Sequence, residues 1–439
     1  MTYDEALAYI DGLLAGQRPA VPPGQRLDRM ARLLAELGDP QRGLPVVLVA
    51  GTKGKGSTST MLAAILRMAG RRVGLYTKPH VSDYRERIRV DGEPVSPETL
   101  AALVEQVAPA VERTAGGPWG RPTYFEVSVA LALQCFAASR VDVAVVEVGI
   151  GGRLDAANVL DPVLSVITPI SRDHTDLLGD TLDAIARQKA GIIRRGRPVV
   201  SAPQPPEADA ALVEESAATG APLVRVAEAA TLTGSRPGKR GHIVGLRTNG
   251  ADFGQLVIGL RGRHQATNAA TAVVAAEILL APARLPVRAV AGGLREAVLP
   301  GRFELLDGTP PLVLDVAHNT ASMEALRAAL DDYFPGRSVV LVFGMIGTHD
   351  VVEPAAVIAG RARMAIITEP AHYRSVPAEV LAAEVRQHLE AVEVIPDRLA
   401  AVARALAVAG PDDVVCITGS VYLVGDVRGG LLAARPPAI

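Results

Sequence analysis

Aromatic side chains are scarce in this chain: Phe, Trp and Tyr together make up 3% of its 439 residues. Few rings are therefore available to cover a flat ligand, and any ring near a candidate site gains weight. Cysteine is scarcer still. Only Cys135 and Cys416 occur, both inside apolar runs, which excludes a disulfide framework and a cysteine-based metal centre. Neither sign of charge is in excess. The 45 basic and 47 acidic side chains leave a formal charge of −2, so no global positive field gathers nucleic acid and any phosphate binding must be local. Apolar runs are broken by Arg, Asp or Gly too early to span a bilayer, so no membrane partner is expected. The opening stretch MTYDEALAYIDGLL is acidic and amphipathic, so we expect no export signal and a reducing cytoplasm. A self-complementary apolar stripe is also missing, which points to a monomer.

What remains is a chain built for burial, with 49% hydrophobic against 21% charged residues. Its length exceeds what one core usually holds, so two unequal domains are expected. Residues 3–38 read as two helices around the loop AGQRPAVPPGQ. The runs VVLVA, VGLYT, VDVAVVEVG and VLSVIT then alternate with helical segments, the pattern of a mostly parallel sheet covered on both faces. From about Leu223 to Leu260 the texture changes to turn signals and short strands, which read as hairpins. A helix is expected from His264 to Leu280. A second series of strands starts at Pro311 with PLVLDVAHN, SVVLVFG, MAIITEP and VVCITGS. The Pro and Gly of VLPGRF place the boundary near Leu299 to Gly301, giving domains at 1–299 and 300–439. No internal repeat is visible.

The most informative segment is VVLVAGTKGKGSTSTML, from Val46. Gly51, Gly54 and Gly56 permit backbone conformations and close approach that a Cβ forbids. The N–H groups of a helix start form an anion site. Lys55 supplies a point charge for the β- and γ-phosphates, and Ser57 or Thr58 offers a hydroxyl to Mg2+. The spacing departs from G-x-x-x-x-G-K-[ST], because the first glycine stands three positions before Gly54. A glycine-rich turn without a ligand is the alternative. A phosphate loop needs an acidic metal anchor ending a neighbouring strand, and Glu147 ends the otherwise uncharged run VDVAVVE. His174 and Lys189 follow downstream; composition alone gives neither a role.

These residues, taken in order, resemble the folylpolyglutamate synthase and dihydrofolate synthase enzymes, Mur-ligase-like ATP-dependent amide ligases. The resemblance rests on GTKGKGS, YTKPHVSDYRERIRVDG, TYFE, EVGIGGRLDAAN, DHTDLLGDTLDAIARQKAGI, GRHQATNAA, PGRFE, DVAHN and GSVYLVGDVR, and it covers nearly the whole chain. It implies an α/β protein: a P-loop ATP-binding domain and a smaller C-terminal Rossmann-like domain, with chemistry in the cleft between them. It also implies that a substrate carboxylate attacks the γ-phosphate of ATP and that L-glutamate displaces phosphate from the acyl phosphate.

The resemblance implies site residues too. Gly51, Thr52, Lys53, Gly54, Lys55, Gly56, Ser57 and Thr58 would hold ATP, with Asn268, Arg302 and Asp315 reaching it from the far side of the cleft. Lys55, His174, Lys189 and His318 would lie at the reacting groups. Ser57, Glu147, His174 and Lys189 would form the metal site, with two Mg2+, a carbamylated Lys189 and K+ among the expected cofactors. Thr123, Tyr124, Phe125 and Glu126, with Leu154, Asp155 and Ala156, match the segments that form the site for dihydropteroate or a reduced folate. Arg302 and Asp315 have an alternative reading as a salt bridge across the domain junction, and Phe125 as a core residue.

The match has departures. Lys78 stands where the family usually carries a serine associated with magnesium, and an ammonium cannot ligate a metal; Thr77 or Ser57 takes over, water fills the position, or, as we expect, the ammonium contacts phosphate instead. The segment RPAVPPGQRLDRM is a loose version of the loop that encloses the pterin, and His349 stands where lysine is frequent. Two other functions therefore stay open, a Mur-ligase-like enzyme for a non-folate acid and a P-loop nucleotide switch.

Overall fold

The computed structural model describes residues 1–15, 23–347 and 351–435. The segment 18–22 of the N-terminal loop and His349 lie outside them. Three sheets organise the chain. The largest has eight strands in the order Glu93–Pro94, Ile88–Val90, Val73–Tyr76, Val143–Glu147, Val46–Ala50, Leu164–Ile167, Val199–Ser201 and Leu223–Arg225. The first two pairings are antiparallel and the rest parallel. Along Val46–Ala50 every residue is buried: Val46, Leu48 and Ala50 enter one core, Val47 and Val49 the other. That two-sided burial is why the strand reads as an unbroken β-branched run, since side chains alternate between faces that are both covered.

Helices Lys55–Met68 and His264–Leu280 cover one face, and Pro97–Ala115 and Tyr124–Ala138 the other. His264–Leu280 has the bounds read from the sequence. The expected hairpins are present but begin later than expected, as an antiparallel sheet of Ala230–Gly238, Gly241–Thr248 and Asp252–Ile258. Leu223–Arg225 instead joins the large sheet, parallel to Val199–Ser201. It follows helix Pro206–Thr219, so it closes a strand-helix-strand crossover rather than opening a hairpin.

The third sheet has six strands in the order Glu304–Leu306, Leu312–Leu314, Val414–Thr418, Val339–Phe343, Ala362–Ile367 and Val392–Val394. Only the first pairing is antiparallel. Its core strands also divide their side chains between two cores. The chain is thus α/β with a large, mostly parallel sheet and a smaller α/β unit. Cys135 and Cys416 are buried and unpaired. Among the described residues, no helix is long and apolar enough to cross a membrane.

The small unit meets the rest of the chain through specific side chains. Arg428 forms a bidentate pair with Glu304 at 2.8 Å and reaches the Ser82 hydroxyl at 3.4 Å. Elsewhere, the Tyr333 hydroxyl donates to the Gly241 carbonyl at 3.0 Å. Between them, the carboxyl ends of the small sheet's strands lead into Asp315, His318 and Ser420, the edge where open α/β sheets take ligands.

Candidate active site

The loop after Val46–Ala50 is shaped by its glycines. Gly54 sits at φ 81°, and a Cβ there would stand 2.3 Å from Asn268 Oδ1. Gly51, at φ 146°, would place a Cβ 1.9 Å from Thr168 Oγ1. The loop is pinned beneath by Thr52 N and Lys53 N, which donate to the Pro169 carbonyl at 3.0 and 3.2 Å. Thr52 Oγ1 donates to Ser171 O at 3.0 Å and accepts from Ser171 N at 3.1 Å. These bonds hold the next amides at the mouth of helix Lys55–Met68, where N–H groups lack intrahelical partners.

Four basic side chains share this edge. Lys55 Nζ donates to the Gly51 and Thr52 carbonyls at 3.1 and 3.2 Å. Burial pushes its pKa down; the Glu147 carboxylate pulls it back and the Lys53 ammonium adds to the depression. Lys53 pairs with Asp173 at 3.3 Å. Lys189 is buried and donates to Gly51 O at 2.8 Å; burial, with the Lys55 charge second, lowers its pKa to about 7. Arg302 is depressed chiefly by burial, against the pull of Asp315 and Glu147. Such a concentration of positive charge, partly withdrawn from water, is what a polyanion requires.

Glu147 is buried at the end of its strand and accepts from the Lys78 amide at 3.1 Å. Burial raises its pKa, and Lys55 is the largest influence lowering it. Glu147 faces the first turn of helix Lys55–Met68, where a Cβ on Gly56 would lie 3.4 Å from its Oε2, and in that turn the Thr58 hydroxyl is buried with no hydrogen-bond partner. No cluster of three or more His, Cys, Asp or Glu occurs among the described residues. A hydroxyl and a single carboxylate fit a phosphate-bound Mg2+, whose remaining ligands would come from the nucleotide and water.

Across the cleft, the Asp315 carboxylate accepts from Phe303 N and Ala317 N, both at 2.8 Å. His318 Nδ1–H donates to Val316 O at 2.9 Å; burial lowers its pKa, the Val316 bond opposes that, and the Lys53 charge adds to the depression. His174 begins the short helix Thr175–Leu178 in a left-handed conformation, φ 50°, with Nε2 3.9 Å from Asp173 Oδ1. Asn268 is a correction. It does not approach from the far side, since its amide packs against Gly54 on the phosphate-loop side.

The acceptor-side segments are only partly exposed. Thr123 caps helix Tyr124–Ala138 by accepting from Glu126 N. Glu126 is buried and paired with Arg29 at 2.9 Å, and accepts from Thr123 N at 2.7 Å. A carboxylate so engaged is not presented to a ligand, which corrects its assignment as a substrate contact; it fixes the loop that carries Phe125. Tyr124 is buried beneath, edge-on to Phe125 with centroids 5.4 Å apart. Phe125 itself is 47% exposed, so it is a presented ring and not core. Leu154, Asp155 and Ala156 are half-buried. Asp155 accepts from Gly149 N at 2.9 Å and Ala157 N at 3.0 Å.

The Lys78 ammonium lies 3.7 Å from Asp155, over the Tyr76 and Phe125 rings, and close enough to the phosphate loop for its charge to act on Lys55 and Glu147. Sequence reasoning also overlooked Asp173 and Arg29 as organisers. Asp173 stood inside the quoted DHTDLL run; for Arg29, nothing local in the sequence signals a partner 97 positions away.

Residues 49–276 match the Mur ligase middle domain and residues 301–421 match the Mur ligase, glutamate ligase domain. The Bacillus subtilis dihydrofolate synthase/folylpolyglutamate synthase is 35% identical over 434 residues, covering 97% of this chain and 98% of the relative. A Mycobacterium tuberculosis folylpolyglutamate synthase complexed with ADP superposes with a TM-score of 0.91 at 32% identity, covering 99% of this chain and 100% of that one. An Escherichia coli structure in complex with DHPP and ADP gives a TM-score of 0.83 at 29% identity, covering 99% of this chain and 98% of that one.

Proposed function

Because the chain belongs to the folylpolyglutamate synthase and dihydrofolate synthase family of ATP-dependent glutamate ligases, we propose that it joins L-glutamate to dihydropteroate, to the γ-carboxylate of folates, or to both, through an acyl phosphate. The observation that carries this reading is that one residue, Lys78, joins the phosphate-loop side to the Phe125 side. The Lys78 backbone binds Glu147 on the nucleotide side while its side chain packs on Phe125 and Asp155 on the acceptor side. A carboxylate held over Phe125 is thereby aimed at a γ-phosphate seated above Gly54 and Lys55.

In this reading the acceptor carboxylate oxygen attacks phosphorus, the bond to the β-phosphate bridge breaks, and ADP leaves. The glutamate amine then attacks the acyl carbon and phosphate departs. Both opening reactants are anions, so the barrier depends on cations fixed in advance: Lys55, Lys53 and Arg302. Ser57, Thr58 and Glu147 would hold Mg2+, which spreads the phosphate charge. His174 and a carbamylated Lys189 would hold a second Mg2+, with K+ as a further ion. His318, beside Lys53 and Asp173, is placed to meet the incoming amine. We take 1–299 and 300–439 as the two domains that enclose the reaction, and a monomer in a reducing cytoplasm as the working form, consistent with two unpaired buried cysteines.

The test is a coupled assay with ATP, Mg2+, K+, L-glutamate and either dihydropteroate or a reduced folate. Phosphate release that needs both co-substrates and yields an amide is expected. Phosphate release without amide, or amide formed only with a non-pterin acid, overturns the assignment.

A further inference from the structure

The Lys78 side chain is 8% exposed and its ion partner Asp155 10%. Their separation, 3.7 Å, exceeds hydrogen-bond distance. Asp155 directs its oxygens to Gly149 N and Ala157 N instead. The ammonium rests on two ring faces, 5.5 Å from the Tyr76 centroid and 5.9 Å from that of Phe125. It also lies against bare backbone, because a Cβ on Gly149 would come within 2.8 Å of its nitrogen. Cation–π contact holds a charge in place but engages no N–H. The ammonium is thus held by ring faces and a distant carboxylate, and none of its three donors is hydrogen-bonded to Asp155.

A buried charge short of hydrogen bonds is costly. The missing partner has a definable chemistry: it is an anion, it lies beside a half-exposed aromatic ring, and it stands next to the Glu147 and Lys55 side of the nucleotide loop. Resting on the acceptor reading above, we propose that Lys78 is the seat of the acceptor's reacting carboxylate and thereby selects acceptors whose carboxylate lies close to their flat ring. The ammonium stays protonated throughout. It screens the carboxylate from the triphosphate during approach, and its rotatable donors follow the same oxygens as one of them becomes bonded to phosphorus. The closeness of ammonium and ring favours a carboxylate borne directly on an aromatic ring, as in dihydropteroate, over one at the end of a flexible glutamyl arm.

The alternative is that Lys78 only neutralises Asp155. The two differ in what the native protein discriminates. Equilibrium titrations with ADP and Mg2+ present would compare 7,8-dihydropteroate with its carboxamide, which keeps the shape and loses the charge. A charge-assisted bond of this kind is expected to favour the carboxylate by about 10- to 100-fold. Lys78→Met should abolish that preference by weakening the carboxylate more than the carboxamide, and Lys78→Arg should retain most of it. A reduced folate, as a second arm, should lose less on Lys78→Met than dihydropteroate does. Should Lys78→Met not fold, Lys78→Gln keeps the length without the charge and should show a reduced preference. An undiminished carboxylate preference in the neutral variant overturns the Lys78 assignment alone. If neither pterin ligand binds the native protein, the acceptor reading fails and this assignment fails with it.

Discussion

The Lys189 ammonium donates to the Gly51 carbonyl at 2.8 Å, tying the helix Leu182–Ala190 to the first glycine of the phosphate loop. With its pKa lowered to about 7 by burial and by Lys55, the amine is largely unprotonated at slightly alkaline pH. A free amine adds to CO2, losing a proton and leaving an anionic carbamate. Incubation with 13C-bicarbonate at pH 8 should therefore give one carbonyl carbon-13 resonance that is absent in Lys189→Arg. Lys189→Ala should lose activity by orders of magnitude and recover part of it with a small added carboxylate. No labelled resonance, with full activity in CO2-free buffer, removes the carbamate from the mechanism.

Gly54 and Asn268 set a second test. A Cβ at Gly54 meets Asn268 Oδ1 at 2.3 Å in a backbone region unfavourable to side chains. Gly54→Ala should strain the loop by about 1–3 kcal/mol. Since the loop exists to receive phosphate, most of this penalty should surface as weaker ATP binding, roughly 10-fold or more, with the thermal midpoint little changed. Unaltered nucleotide affinity would show that the loop relaxes freely and that its curvature is not needed.

The fold was legible where periodicity runs long. The buried strand Val46–Ala50, the helix His264–Leu280 and the second strand series all carry patterns that depend only on near neighbours in sequence. The three-residue strands Val199–Ser201 and Val392–Val394 are too short to establish a period, and Leu223–Arg225 was absorbed into the hairpins that follow it. In the site, the glycines, Lys55 and Glu147 could be placed because strand ends and helix starts announce themselves locally. The direction of a side chain could not. Glu126 sits in a helix-capping pattern, yet it turns inward because Arg29 waits across the core. Lys78 leans to the acceptor side because Asp155, Tyr76 and Phe125 come from three separate segments.

That Arg29–Glu126 pair is buried on both sides, with side-chain exposures of 7% and 4%. Glu126→Ala should cost about 3–5 kcal/mol, because it strands a guanidinium away from water. The combined Arg29→Met, Glu126→Leu variant should be less destabilised than Glu126→Ala alone. Both should raise the acceptor KM more than the ATP KM, since Thr123 and Phe125 lose their anchor while the phosphate loop keeps its own. Urea titrations and steady-state kinetics measure the two effects separately. Equal destabilisation of the single and double variants would mean that the charge pair is not what Glu126 contributes.

His80 provides a pH dependence with a definite sign. Its Nδ1 lies 2.8 Å from Arg87 Nε, which can only donate, so Nδ1 must be unprotonated and the ring neutral. Burial, then the Arg87 charge, lowers the folded pKa to about 4 from an ordinary 6.5. Between pH 6.5 and 4 the unfolded chain takes up a proton that the folded chain refuses, so stability is intact above that window and falls as pH drops through it. The full loss amounts to about 3 kcal/mol. His80→Asn keeps a hydrogen-bond acceptor available to Arg87 and removes the titration, so its stability curve should be flatter than the native curve by that amount over the same window. Denaturant unfolding at half-unit pH steps reads the difference; parallel curves would mean that His80 titrates alike in both states and that Arg87 is satisfied by another acceptor.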